Sequence, residues 1–175
     1  MQFAKRKGIK TLPILRTNNE KERLIQLGAT HVLVDNDHLI QEIKEVIQTD
    51  ETACLLDAVG GEITTKIIKT LSPFSQIIHY GLYSKDATSY HNADIIFKNL
   101  TIKGFGIDHW LNSKDNTERC ILWEEIISLI IQPNFKIDIG GKYSLKDYQQ
   151  AIHESKNNNQ GKTLFWLKNK ATINK

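Results

Sequence analysis

The fold is decided by residues 53–81, which read ACLLDAVGGEITTKIIKTLSPFSQIIHYG. The apolar run at 53–56 predicts a buried strand, and the Gly-Gly turn at 57–61 closes it. A helix follows with apolar residues at helical spacing, and residues 77–80 predict the next strand. Strand, turn, helix and strand together form a βαβ unit, which predicts a parallel sheet buried on both faces.

The same alternation extends outward in both directions. Upstream, strands are predicted at 11–15 and 31–34, each followed by a helix, and Gly28 ends the first of these helices. Downstream, a strand is predicted at 100–107 and a long helix at 117–131, which Pro133 stops. The sequence therefore predicts an α/β fold with a doubly wound, mostly parallel sheet.

The pattern changes after Pro133. The remainder contains a short extended piece, a helix at 146–155, an Asn-rich turn at 157–159 and a final strand at 163–167. We therefore expect two domains, residues 1–132 and residues 133–175.

The composition excludes several classes of protein. The 175 residues include 23 Lys and Arg against 20 Asp and Glu, a net charge of +3, and no basic face with interleaved aromatic residues predicts nucleic-acid binding. No apolar stretch predicts a membrane span or a secretion signal. The two cysteines, Cys54 and Cys120, and the six histidines, His79 among them, show no metal-ligand or disulfide spacing. We expect a cytoplasmic protein without a metal site.

Five short patterns occur together in the order seen in medium-chain dehydrogenase/reductases. They are LGATHV at 27–32, LDAVGG at 56–61, HYG at 79–81, YSLKDY at 143–148 and GK at 161–162. The chain resembles the C-terminal part of a zinc-independent member of the quinone oxidoreductase type. Residues 96–105, IFKNLTIKGF, followed by Trp110, resemble the 2-enoyl thioester (enoyl-CoA) reductase branch.

The resemblance implies a catalytic domain whose chain leaves to form a Rossmann domain and then returns. Residues 1–132 would be that Rossmann domain from the end of its first helix, and residues 133–175 the returning segment. We expect an incomplete Rossmann domain, without its first strand and Gly-rich phosphate loop, so that strands 11–15 and 53–56 lose their shared neighbour. In this family the proton-donating tyrosine lies in the N-terminal catalytic domain, so no catalytic residue is assigned here.

A basic residue follows the strand at 11–15. Rossmann domains that read NAD place an acidic residue near this point, whereas a basic residue suits the 2′-phosphate of NADPH. Arg16 can bond phosphate through two N–H groups, Lys21 and Arg23 add charge, and Thr17 offers a hydroxyl. We therefore predict NADPH as the cofactor, although solvated surface cations would explain the same residues.

The other predicted cofactor residues lie at strand ends. Val59 and Gly60 would let the backbone approach the cofactor closely, although a tight turn would need Gly60 in any case. The resemblance adds five residues, beside the ribose, the nicotinamide or elsewhere on the cofactor: Tyr80, Gly81, Phe105, Ile107 and Lys162.

The implied function is reduction of an activated double bond, in an enoyl thioester or a quinone, by hydride from NADPH. We expect this chain to be inactive alone and to form a homodimer through the edge strand at 101–107. Two alternatives stay open, which are a non-catalytic truncated product acting as a dimerising module and a fragment of a zinc alcohol dehydrogenase.

Overall fold

The computed structural model describes residues 1–47, 53–157 and 161–167. Helices and strands alternate along most of the chain: α1 (Gln2–Arg6), β1 (Ile14–Leu15), α2 (Lys21–Gln26), β2 (Leu33–Val34), α3 (Leu39–Val46), β3 (Cys54–Asp57), α4 (Gly61–Ile68), β4 (Gln76–His79), α5 (Asn92–Lys98), β5 (Thr101–Gly104), α6 (Ile107–Asn112), α7 (Asn116–Ile130), β6 (Ile139–Tyr143), α8 (Tyr148–Asn157) and β7 (Lys162–Phe165).

Every strand pair in the described residues is parallel. β1 pairs with β2, β3–β4–β5 form a three-stranded sheet, and β6 pairs with β7. The predicted α/β class with parallel sheets is confirmed. β1 and β3 belong to different sheets, and no strand of the described residues pairs with both.

The chain divides into two compact units, Met1–Glu124 and Glu125–Lys175. The domain assignment made from the sequence, 1–132 and 133–175, stays a prediction. Of the predicted turn at 157–159, residues 158 and 159 lie outside the described residues.

Two apolar clusters form the core of the first unit. One joins α4 to the three-stranded sheet, and Ile77 of β4, which has no exposed surface, lies at its centre. The other joins α3 and α4 to the strand ends Ile14 and Leu33. Leu55 packs against both clusters, so the two sheets share the same helices on one face.

The expectation that the strand at 53–56 is buried on both faces is wrong for this unit. Leu55 points into the core, but its neighbour Leu56 has 64% of its surface exposed. Successive side chains on a strand point to opposite faces, and the described part of this unit covers only the face toward α3 and α4.

Several predicted strands are shorter than expected, including β2, which contains only Leu33–Val34 of the predicted 31–34. β1 contains only Ile14–Leu15, because Pro13 has no N–H to donate, although its carbonyl accepts from the Leu33 amide at 3.0 Å. β5 ends at Gly104 rather than at residue 107, since α6 begins at Ile107 and Gly106 caps it.

Among the described residues, no helix is both long enough and apolar enough to cross a bilayer.

Candidate functional site

Three strand ends lie side by side along one edge of the larger sheet. The register pairs Asp57 of β3 with His79 of β4, and His79 with Gly104 of β5. Open α/β sheets bind ligands at this carboxyl edge. We call residues 57–61, 79–84 and 104–107 the strand-end rim.

Asp57 organises the turn between β3 and α4. Its carboxylate is 5% exposed, and Oδ1 accepts hydrogen bonds from the amides of Val59, at 2.9 Å, and Gly60, at 3.0 Å. Burial raises the pKa of the carboxyl, but these two bonds and those from Thr64 and His79 outweigh it, so the pKa lies below its ordinary value. Asp57 is therefore a buried carboxylate whose hydrogen bonds hold the turn in place.

His79 and Tyr90 extend this hydrogen-bonded chain. Nδ1 of His79 lies 2.7 Å from Oδ2 of Asp57, and the Tyr90 hydroxyl bonds Nε2. Because an ionised carboxylate only accepts, a neutral His79 donates from Nδ1 and accepts from Tyr90 at Nε2. Burial and the charge of Asp57 raise the pKa of Tyr90, which favours the protonated phenol that this chain needs.

These hydrogen bonds among Asp57, His79 and Tyr90 were not predicted from the sequence, because no regular spacing relates His79 to a partner residue. The residues lie 22 and 11 positions apart, which no helix or strand periodicity marks. One signal was available, because Asp57 directly follows the predicted strand at 53–56 and His79 lies near the end of the next predicted strand, 77–80. Side chains at neighbouring parallel strand ends are close enough to bond.

Backbone hydrogen bonds join the loop after β4 to the turn after β3. The Tyr83 amide donates to the Ala58 carbonyl at 3.2 Å, and the Ser84 amide donates to the Val59 carbonyl at 2.8 Å. A Cβ added to Gly81 would lie 2.6 Å from the Ala58 carbonyl oxygen, so only glycine permits this approach. The turn after β3 and the loop after β4 are thus held together by contacts between their backbones.

The structure brings most of the predicted cofactor residues to this rim. The Tyr80 amide donates to the Asp57 carbonyl at 2.9 Å, and the Phe105 amide donates to the His79 carbonyl at 2.8 Å. Six predicted residues lie along the rim: Val59, Gly60, Tyr80, Gly81, Phe105 and Ile107. The Phe105 ring faces Trp110, with 6.0 Å between ring centroids.

The predicted basic cluster lies at the end of β1. Arg16 and Thr17 directly follow β1, Lys21 begins α2, and all three are exposed. The charge of Arg23 is paired, because its guanidinium lies 2.5 Å from the Glu20 carboxylate. The Arg16 guanidinium lies over the Tyr83 ring, 4.9 Å from its centroid, and so touches the rim.

Lys162 lies in the second unit, where it begins β7 and its amide donates to the Asp138 carbonyl at 3.1 Å. Its predicted contact with the cofactor stays a prediction. The described residues contain no group of three or more His, Cys, Asp or Glu side chains placed to hold a metal ion.

Comparisons with known proteins agree with this fold. A mitochondrial enoyl-[acyl-carrier-protein] reductase of Dictyostelium discoideum is 28% identical over 169 residues, which are 94% of this chain and 48% of that protein. A mycobacterial quinone oxidoreductase superposes with a TM-score of 0.79 at 16% identity, over 93% of this chain and 50% of that one. The complex of Etr1p with NADP and crotonyl-CoA superposes with a TM-score of 0.73 at 24% identity, over 95% and 49%.

The chain thus spans about half the length of the proteins that it matches. A family model described as zinc-binding dehydrogenase matches residues 1–126, which include β1 to β5 and the whole strand-end rim. The resemblance to medium-chain dehydrogenase/reductases that the five sequence patterns indicated is therefore confirmed. The chain belongs to the family whose model is described as zinc-binding dehydrogenase.

Proposed function

We propose that this chain is the nucleotide-binding part of an NADPH-dependent reductase of activated double bonds, such as enoyl thioesters or quinones. The observation that carries the proposal is the exposed Arg16 at the carboxyl end of β1, in contact with the strand-end rim. A basic residue at this point suits a 2′-phosphate. The names of its relatives, which include an enoyl reductase and a complex with NADP, support the same activity.

The rim suits a dinucleotide on two counts. Its one buried charge, Asp57, already accepts hydrogen bonds from the turn and from His79, so a phosphate would not meet an unpaired carboxylate. Its backbone is also fixed in shape, because Gly60, at a φ of +74°, and Gly81, packed against the Ala58 carbonyl, hold conformations that a Cβ would oppose.

Each predicted residue of the first unit then has a role in binding. Arg16 bonds the 2′-phosphate, with Thr17 and Lys21 beside it, and the turn at Val59 and Gly60 faces the middle of the dinucleotide. Four residues complete the proposed set: Tyr80 and Gly81 at the ribose, and Phe105 and Ile107 at the nicotinamide. The cofactor contact that the family resemblance implies for Lys162, in the second unit, stays a prediction.

When bound, NADPH supplies a hydride for the β-carbon of the substrate. The residues of this chain hold and orient it and keep water from one side. The α-carbon receives a proton, and the family resemblance implies that a tyrosine outside this chain donates it. We assign no catalytic residue in this chain.

Titration of the purified chain with NADPH and with NADH, followed by tryptophan fluorescence, tests the proposal. We expect saturable binding that favours NADPH. Arg16→Ala should weaken NADPH binding roughly 10- to 100-fold, since a hydrogen-bonded charge pair contributes about 1.5–3 kcal/mol. NADH binding should change little, and Lys44→Ala on the exposed side of α3 serves as the control. A chain that unfolds cooperatively in urea and binds neither nucleotide would contradict the proposal.

A dimerising module is the second candidate. All four residues of β5 are exposed, and β5 forms the edge of its sheet, so its free backbone groups can extend the sheet across a two-fold axis. A stable dimer that binds no nucleotide, detected by light scattering, would favour this candidate. Ile102→Lys on β5 should then give monomers.

The compartment also remains a proposal. The cysteines Cys54 and Cys120 are free and exposed, which fits a reducing compartment such as the cytoplasm. The names of the enoyl reductase relatives place those proteins in mitochondria. Fractionation of cells that express the tagged full-length gene product would decide between the two.

A further inference from the structure

Tyr83 stands out because it is 71% exposed and its ring is nevertheless in contact with a cation. The Arg16 guanidinium carbon lies 4.9 Å from the ring centroid, within the range of a cation–π contact. Tyr83 follows β4 and Arg16 follows β1, so the pair joins the ends of two different sheets. Neither the sequence patterns nor the family resemblance gave Tyr83 a role.

The backbone, rather than side-chain packing, holds Tyr83 at this place. Its amide donates to the Ala58 carbonyl at 3.2 Å, and the next amide, of Ser84, donates to the Val59 carbonyl at 2.8 Å. The close approach of Gly81 to Ala58 keeps the start of the same loop against the turn. The ring is therefore a platform whose position is set by the rim itself.

A ring beneath a guanidinium restricts it without using its hydrogen bonds. The side chain of Arg16 is long and exposed, so it loses much rotamer freedom when it binds an anion. A cation stacked on an aromatic face keeps the N–H groups at its edge free to bond phosphate in pairs. The platform would thus set the guanidinium in place before the ligand arrives.

We propose that Tyr83 is a specificity-determining residue, which holds Arg16 in the orientation that binds a 2′-phosphate and so favours NADPH over NADH. The inference rests on the proposed function of the rim. Tyr83 acts through Arg16 and is a positioning residue.

The test measures the affinities of the full chain and its Tyr83 variants for adenosine 2′,5′-bisphosphate and for AMP. Tyr83→Leu should weaken binding of the bisphosphate three- to tenfold and leave AMP binding within twofold. Tyr83→Phe keeps the ring and should keep the preference of the unmodified chain. In the Arg16→Ala background, Tyr83→Leu should have no further effect on the bisphosphate, because the platform then has nothing to hold.

Controls separate a local effect from a loss of fold. Tyr148→Leu, the same change at another half-exposed tyrosine, should leave both affinities unchanged, and urea melts show that each variant is folded. If Tyr83→Leu does not fold, Tyr83→Asn removes the ring with a polar side chain that suits an exposed loop.

The outcomes distinguish the two proposals. If folded Tyr83→Leu prefers the bisphosphate over AMP as strongly as the unmodified chain does, the role of Tyr83 is overturned. The proposed function then still stands. Equal losses for AMP and the bisphosphate would also overturn it, since they would mean that the ring stacks on adenine. A folded chain that binds neither NADPH nor NADH would overturn both proposals.

Discussion

The sheets β1–β2 and β3–β4–β5 share the helices α3 and α4 but are stabilised very differently. The three-stranded sheet has four-residue strands, a fully buried Ile77 and a carboxylate held by hydrogen bonds at its rim. The two-stranded sheet has two residues in each strand, all of them half-buried. The larger sheet therefore has a fully buried core residue of its own, whereas the smaller sheet depends on the helices that it shares. The smaller sheet nevertheless carries Arg16, the basic residue that the proposed function needs.

Ile77→Ala and Ile14→Ala give the largest contrast between the sheets. Truncation of Ile77 leaves a cavity in the core, and we expect the free energy of unfolding to fall by about 2–5 kcal/mol. Ile14 is half-buried beside Leu39 and Ile43, and its truncation should lower that free energy by about 1–2 kcal/mol. Urea unfolding of both variants measures the difference. Equal losses would show that the smaller sheet is as well packed as the larger one.

Gly81→Ala tests the close backbone approach within the rim. The new Cβ would meet the Ala58 carbonyl, so we expect a loss of about 1–3 kcal/mol in the free energy of unfolding and a weaker proposed nucleotide site. Gly104→Ala, at the end of the neighbouring strand, is the matched control, because no atom lies within 4 Å of its added Cβ. If both variants lose the same stability, the close approach does not matter and only glycine flexibility does.

Asp57 should give the larger sheet the stronger acid sensitivity. Because hydrogen bonds lower its pKa in the folded chain, Asp57 stabilises the fold above the ordinary Asp value of about 3.9. That contribution is lost as the pH falls through the lower, folded pKa. Unfolding free energies measured from pH 6 to pH 2 should fall more steeply for the unmodified chain than for Asp57→Asn.

The difference between the two slopes arises because folding lowers the pKa of Asp57, which couples loss of its charge to loss of stability. Asp37→Asn, at an exposed position before α3, should keep the slope of the unmodified chain. Parallel pH profiles for the unmodified chain and Asp57→Asn would show that the carboxylate is not coupled to folding.

Local patterns were enough to predict the βαβ units and the rim. Alternating apolar runs and helical stripes reflect which side chains must be buried together, and the turns with Gly60 and Gly81 after the strands follow from that order. The extent of the strands was less predictable. Pro13 limits β1, and the helix from Ile107 shortens β5, because hydrogen-bond partners on neighbouring strands decide where a strand ends.

Contacts between distant residues could not be predicted from local patterns. The bonds of His79 with Asp57 and Tyr90 and the contact of Arg16 with Tyr83 join residues that no periodicity relates. They depend on where loops return after each strand. The exposure of Leu56 was missed for a similar reason, since an apolar run shows that a strand can be buried but not what covers each face.

The bond between Asp57 and His79 also bears on how β3 and β4 find their alignment during folding. Both strands carry apolar residues at their two central positions, so a pairing shifted by one residue would still place apolar side chains next to each other. A slip by one residue would move Leu55 out of the core and leave the buried carboxylate without its imidazole. That penalty, of about 1–3 kcal/mol for the lost hydrogen bond alone, makes the polar pair at the strand ends the feature that selects one alignment over its neighbours.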